Sequence, residues 1–209
     1  MAYKHDIFVS YAHVDNVPLE GVQSGWVTTF VNNLTNLLRR KLPRDNRIWT
    51  DELLAGNAKL TPALLEVLRE TATFLVILSP NYLASEWCTK EREAFWQLIK
   101  DRTDAGSRVF LVECEQVPKI SDEFAELVGY RFWVQEGRRT RTLGLPFPQF
   151  TDNVYFDRLL DLREDLALEL GRIDKALARI DAEPDSPPEL PNASVALPAE
   201  LRGKLFRKV

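Results

Sequence analysis

Two cysteines and two histidines in 209 residues leave little material for metal or thiol chemistry. Cys88 and Cys114 lack the spacing of a metal site, so no metal is expected, and both read as small buried packing residues rather than ligands or a disulfide. No glycine-rich phosphate loop of the Rossmann kind is present. No apolar run approaches the length of a membrane span, and the opening Met1-Ala2-Tyr3-Lys4-His5-Asp6 leads into a short strand pattern rather than a signal peptide. A cytoplasmic protein without membrane contact is the expectation. Basic excess is absent too: the formal net charge is −4, and the one notable basic run is Arg138-Arg139-Thr140-Arg141. Direct nucleic-acid binding is not expected of such a surface.

What is present is the balance of one good core plus an appendage, 45 % apolar and 28 % charged. Asp6 to Ser10 reads as a first strand. Trp26, Val27, Phe30, Val31, Leu34, Leu37 and Leu38 recur at helical spacing, and Pro43 stops that helix. Arg47 to Thr50 is a brief second strand, followed by a loop, Asp51 to Leu60, that carries Gly56 and Asn57. Thr61-Pro62 is a helix start, with Leu64, Leu65, Val67 and Leu68 as the buried stripe. Arg108 to Glu113 reads as a fourth strand, Val117 to Gly129 as a loop with a short helix, and Tyr130 to Val134 as a fifth strand. Between Glu136 and Asn153, Leu143, Leu145, Phe147 and Phe150 are expected to hold an irregular segment against the domain. From Tyr155 to Ile180, Leu159, Leu162, Leu166, Leu170, Ile173 and Leu177 mark a long helix whose seam packs either on its own domain or on a partner. The proline-rich stretch from Glu183 reads as a linker or tail.

The segment Leu78 to Trp96, LSPNYLASEWCTKEREAFW, organises the rest. Before it, Thr73 to Leu78 is continuously apolar and largely β-branched or aromatic, as a strand covered on both faces would be. Ser79-Pro80-Asn81 ends that strand in a turn. Ser85 is the expected N-cap of the next helix, on which Phe95, Leu98 and Ile99 continue the apolar side. Trp87 and Glu91 stand four residues apart and share a face near its N-terminus. Two readings stand at this point. Either Trp87 is core and Glu91 a solvated helix residue, or the pair is a carboxylate set beside an indole for a purpose.

Three ordered blocks carry a resemblance. His5-Asp6-Ile7-Phe8-Val9-Ser10-Tyr11, then Trp49-Thr50-Asp51-Glu52-Leu53-Leu54-Ala55-Gly56, then Ser79-Pro80-Asn81-Tyr82-Leu83-Ala84-Ser85-Glu86-Trp87-Cys88-Thr89-Lys90-Glu91 resemble the Toll/interleukin-1 receptor (TIR) domain family, in its bacterial NAD-cleaving form. The resemblance covers about residues 3–133. It implies a flavodoxin-like, doubly wound α/β fold with a five-stranded parallel sheet in the order 2-1-3-4-5, followed here by the long C-terminal helix. The expected division is a TIR domain over 1–152, a helix over 153–182 that packs on the domain or mediates assembly, and a proline-rich tail over 183–209.

Members of the family divide into signalling scaffolds and enzymes that cleave the nicotinamide–ribose bond of NAD, the latter marked by a glutamate four residues after a tryptophan. Glu91 matches that glutamate, which makes it the expected catalytic residue. The resemblance then implies NAD+ as substrate with no separate cofactor, self-association through TIR–TIR contacts, a sensor domain or partner protein, and antiphage signalling. Ser10 and Ser79 are expected to donate to phosphate or ribose, Tyr11 or Phe8 to offer an aromatic for stacking, with Phe8 the better fit to the core, Trp87 to wall the pocket, and Asp51 to orient the loop after it. The loop Asp51 to Leu60 has no aromatic, so stacking on a neighbouring protomer's nicotinamide has no obvious residue there. The competing reading is a TIR interaction module without turnover. A flavodoxin-like phosphoacceptor regulator fits less well, because no acidic cluster follows the first strand.

Overall fold

Strand β1 (His5–Ser10) lies between β2 (Ile48–Thr50) and β3 (Thr71–Leu78), and parallel pairing continues through β4 (Val109–Glu113) to β5 (Gly129–Arg131). The sheet order is β2-β1-β3-β4-β5, the expected doubly wound arrangement. The structure, a computed structural model, describes residues 3–42, 47–50, 61–117 and 129–182. The expected loop from Asp51 to Leu60, most of the segment between Val117 and Gly129, and the tail from Glu183 lie outside the described residues.

Strand β3 is the hub of the sheet, and all eight of its residues are buried. Such a strand has helices on both faces, which is why its sequence is an apolar run instead of an alternation. Helices α1 (Trp26–Arg39) and α5 (Asn153–Ala182) cover one face, while α2 (Pro62–Arg69), α3 (Pro80–Ala84) and α4 (Glu86–Ile99) cover the other. Along β1 the two-residue period divides side chains between these layers: Ile7, Val9 and Tyr11 join the α1/α5 core, whereas Phe8 and Ala12 join the α2/α4 core.

The first helix buries Trp26, Val27, Phe30, Leu34 and Leu38, and each large apolar side chain withdrawn from water contributes about 1.5–3 kcal/mol. Its N-terminus is capped from a distance. Asn16 Oδ1 accepts the backbone N–H of Thr28 at 2.9 Å, and the Asn16 backbone presses so closely on Gly25 that a Cβ there would stand 1.8 Å from its carbonyl oxygen. This contact fixes the 3-10 turn His13–Asn16 against α1.

The α5 seam packs on its own domain: Leu159, Leu162, Leu166, Leu170 and Ile173 are buried, and Leu177 packs against the same core. Polar contacts reinforce the docking. Tyr130 on β5 donates to Asp165, Ser107 to Glu169 at 3.0 Å, and Arg172 to Asp104 at 3.0 Å. Asp104 also accepts from Arg102 and from Arg108, a guanidinium only 2 % exposed that donates further to Tyr3 and the Ala72 carbonyl.

Three expectations need correction. Ser79-Pro80-Asn81 does end β3, but by starting helix α3: Ser79 accepts the Tyr82 N–H at 2.9 Å and Pro80 takes the first helical position, where a missing N–H costs nothing. The expected fifth strand over Tyr130 to Val134 is two strands. Only Gly129–Arg131 joins the sheet; β6 (Trp133–Glu136) turns back through Gly137, at φ +62°, onto β7 (Arg139–Thr142) as a separate antiparallel hairpin. Of the four apolar residues expected to hold the next segment down, Leu143 is buried, while Leu145, Phe147 and Phe150 are exposed.

Candidate active site

Helix α4 places its buried residues in one row. Ser85 caps it by accepting the Cys88 N–H at 3.2 Å, and Trp87, Glu91, Phe95 and Ile99 then follow at four-residue intervals on the face turned to the sheet. Glu91 is therefore a carboxylate within an apolar stripe, only 2 % exposed. That observation removes the reading of Glu91 as a solvated helix residue. Leu98, expected on the same apolar side, is instead exposed.

A buried carboxylate is tolerated when hydrogen bonds replace its water, and Trp87 and Ser10 each supply one here. Trp87 Nε1 donates to Oε1 at 2.8 Å, one turn back on α4. Ser10 Oγ, at the carboxyl end of β1, donates to Oε2 at 2.6 Å across 81 residues of sequence. Ser10 also lies 3.3 Å from the hydroxyl of Tyr82, a fully buried phenol on α3. The carboxyl ends of β1 and β3, the helix between β3 and α4, and α4 itself thus converge on Glu91. This is the point where the strand order of the sheet reverses, and ligands of such sheets bind outside the strand ends there.

Ser79 connects to this group from behind. Its hydroxyl donates to Asp15 Oδ2 at 2.5 Å while accepting from the Tyr82 backbone, and Asn81 Nδ2 donates to Asp15 Oδ1 at 2.8 Å. Burial pushes the Asp15 carboxyl above the usual carboxylate range, against the pull of the Ser79 and Asn81 hydrogen bonds. Glu115, just past β4, is pushed up by burial and by the charge of Asp15. Burial also pushes the Cys88 thiol up to about 12 and raises Cys114, so neither is a thiolate near neutrality. Both cysteines are free and buried. Among the described residues, no three His, Cys, Asp or Glu side chains group as metal ligands would, and no helix is long and apolar enough to cross a membrane.

Of the residues singled out in the sequence, Ser10 and Trp87 both bond Glu91, and Ser79 reaches this group through α3. Phe8 is fully buried, stacked on Trp49 at 4.6 Å and on Phe74 at 5.3 Å between centroids. Tyr11 is on the opposite layer, where it lines a recess of about 270 Å³ with Asn32, Thr35 and Arg39 of α1. The period of two that sends Ser10 toward α4 sends its neighbour away. Asp51 lies outside the described residues. Tyr82 and Asp15 were not foreseen from sequence. A serine followed by proline is a helix-start signal, and it would have placed Tyr82 on the first turn of α3; Asp15 carries no local sign of a partner 64 residues away.

Comparison with known proteins identifies the family. A curated relative, the disease resistance protein RUN1 of Vitis rotundifolia, is 31 % identical over 81 residues, which is 39 % of this chain and 6 % of that protein. The chain therefore spans a small part of the relative it matches. Among solved structures, the TIR domains of the activated Roq1 resistosome, which directly recognises the pathogen effector XopQ, align over 80 % of this chain and 84 % of that one, with 19 % identity and a TM-score of 0.35. The sequence profile of the family described as the TIR domain matches residues 7–143, well over half the chain. The parallel sheet in the order β2-β1-β3-β4-β5 and the family match together establish that the chain belongs to the TIR domain family.

Proposed function

We propose that this chain is an NAD+ glycohydrolase that cleaves the nicotinamide–ribose bond, with Glu91 as its catalytic carboxylate. The observation that carries the reading is the buried Glu91 carboxylate, held by Trp87 and Ser10 at the carboxyl ends of β1 and β3. In the reaction the bond from ribose C1′ to the pyridinium nitrogen breaks, and its electron pair neutralises the ring. Nicotinamide leaves without needing a proton, so one carboxylate suffices where ordinary glycoside hydrolysis uses two. Glu91 stabilises the positive charge that develops on the sugar and accepts hydrogen bonds from the ribose hydroxyls. Water adds at C1′ and loses a proton to give ADP-ribose; attack by an adenine nitrogen of the same molecule gives a cyclic product instead.

The 2 % exposure of Glu91 implies low basal activity in the isolated chain. Self-association through TIR–TIR contacts, driven by a sensor or partner protein, opens the site on this reading. A disease resistance protein among the relatives supports a place in immune signalling, antiphage defence in a bacterial setting, and the location would be cytoplasmic. The test is nicotinamide release from NAD+ by assembled protein, lost in Glu91→Ala.

The same burial favours a second reading, a TIR interaction module without turnover in which Glu91 is structural. Absence of nicotinamide release from demonstrably assembled wild type would establish it.

A further inference from the structure

We propose that Tyr82 is a positioning residue for Glu91, acting through Ser10; as a statement about catalysis this rests on the reading of Glu91 above. Ser10 has one hydroxyl proton, and the 2.6 Å contact directs it to Glu91 Oε2. In the 3.3 Å contact between Ser10 and Tyr82, Ser10 is then the acceptor and the phenol the donor. The result is a directional relay: Tyr82 O–H to Ser10 Oγ, Ser10 O–H to Glu91. A hydroxyl that accepts one hydrogen bond donates a stronger one, and a donor aimed at a carboxylate favours its charged form. Burial keeps Tyr82 protonated and therefore a donor.

The phenol is held at both ends. Its backbone N–H is bound by Ser79 Oγ, which is itself tied to Asp15, so the first turn of α3 is fixed before the ring reaches inward. At the other end the hydroxyl meets Ser10 inside the protein, both side chains being buried. Glu91, Ser10 and Tyr82 come from α4, β1 and α3, and the relay joins these elements at the switch point of the sheet. Besides Glu91, the phenol feels the charges of Cys88 and Arg92 on α4, and Cys88 in turn feels that of Asp15 on the 3-10 turn. None of Cys88, Arg92 and Asp15 is altered in the variants below.

The test reads the Glu91 carboxyl directly, without substrate. Protein labelled with carbon-13 at the glutamate carboxyls is titrated by NMR, and the Glu91 resonance is assigned by its absence in Glu91→Gln. Ser10→Ala should raise the Glu91 midpoint by about one unit, the size of one lost charge-assisted hydrogen bond. Tyr82→Phe, which keeps the ring in its packing, should raise it by a few tenths of a unit, since it weakens the Ser10 bond without removing it. A ring-fluorinated tyrosine at position 82, a stronger donor of nearly the same size, should lower it. In the Ser10→Ala background, Tyr82→Phe should have no further effect. Nicotinamide release by assembled protein should show its acid limb displaced in the same direction and order.

A midpoint that Tyr82→Phe leaves in place, or shifts equally with and without Ser10, would overturn the relay. The relay and the catalytic reading fail separately. Displaced midpoints in a protein that releases no nicotinamide would leave the relay standing and remove the enzyme; unmoved midpoints beside robust release would do the reverse.

Discussion

Trp87 Nε1 lies 2.8 Å from Glu91 Oε1, one turn away on the same helix, so the indole that walls the carboxylate also supplies its hydrogen bond. This contact uses the helical repeat to solve a solvation problem. A carboxylate in an apolar stripe needs a donor that does not disturb the packing, and a tryptophan at i−4 is apolar over most of its surface.

Trp87→Phe keeps an aromatic ring and removes that donor. A hydrogen bond to a charged group contributes about 1.5–3 kcal/mol, so the rate of nicotinamide release should fall on the order of ten- to a hundred-fold. A variant that melts like wild type and also turns over like wild type would show that the indole N–H has no part in the chemistry.

Gly144 and Gly137 both have positive φ, +75° and +62°, but differ in their surroundings. A Cβ at Gly144 would stand 2.7 Å from the Tyr155 ring of α5, whereas nothing lies within 4 Å of one at Gly137. Gly137→Ala should therefore cost only the left-handed conformation, about 1–2 kcal/mol. Gly144→Ala adds overpacking of about 1–3 kcal/mol to the same term. Urea unfolding of the two variants checks the difference, and equal losses would mean that Tyr155 does not press on Gly144.

Asp104 predicts how acid acts on the α5 attachment. Burial alone would raise its carboxyl, but hydrogen bonds from Arg102, Arg108 and Arg172 hold it well below the usual carboxylate range. A carboxyl depressed in the folded state adds stability that is complete above its unfolded value of about 3.9 and disappears as pH falls below it. The gap in melting temperature between wild type and Asp104→Asn should be constant from neutral pH to about pH 5 and narrow below about pH 4. A gap independent of pH through that range would place the stabilisation elsewhere.

The parts of this fold that were legible are those with a period or a run. The apolar run of β3, the stripe of α1 and the seam of α5 each had to be buried, and the structure buries them. The hairpin β6–β7 had no such sign: its second strand, Arg139–Thr142, is polar and exposed, so no alternation marks it. Phe150 misled for a related reason, because an aromatic in an irregular segment carries no period to say which way it faces, and this one is fully exposed. At the site, Glu91 and Trp87 were visible as an i, i+4 pair and Ser10 as a strand end. Their meeting with Tyr82 depends on contacts 72 and 81 residues long, which local pattern does not encode.

The central claim, that Glu91 performs the cleavage of NAD+, is tested most directly by nicotinamide release from concentrated, assembled protein beside Glu91→Gln, a variant of the same shape without the charge. The account predicts steady release by wild type that rises with assembly, and release at the level of the uncatalysed reaction in the variant despite equal assembly. Wild type that assembles and releases no nicotinamide, or a Glu91→Gln protein that keeps pace with it, would contradict the account.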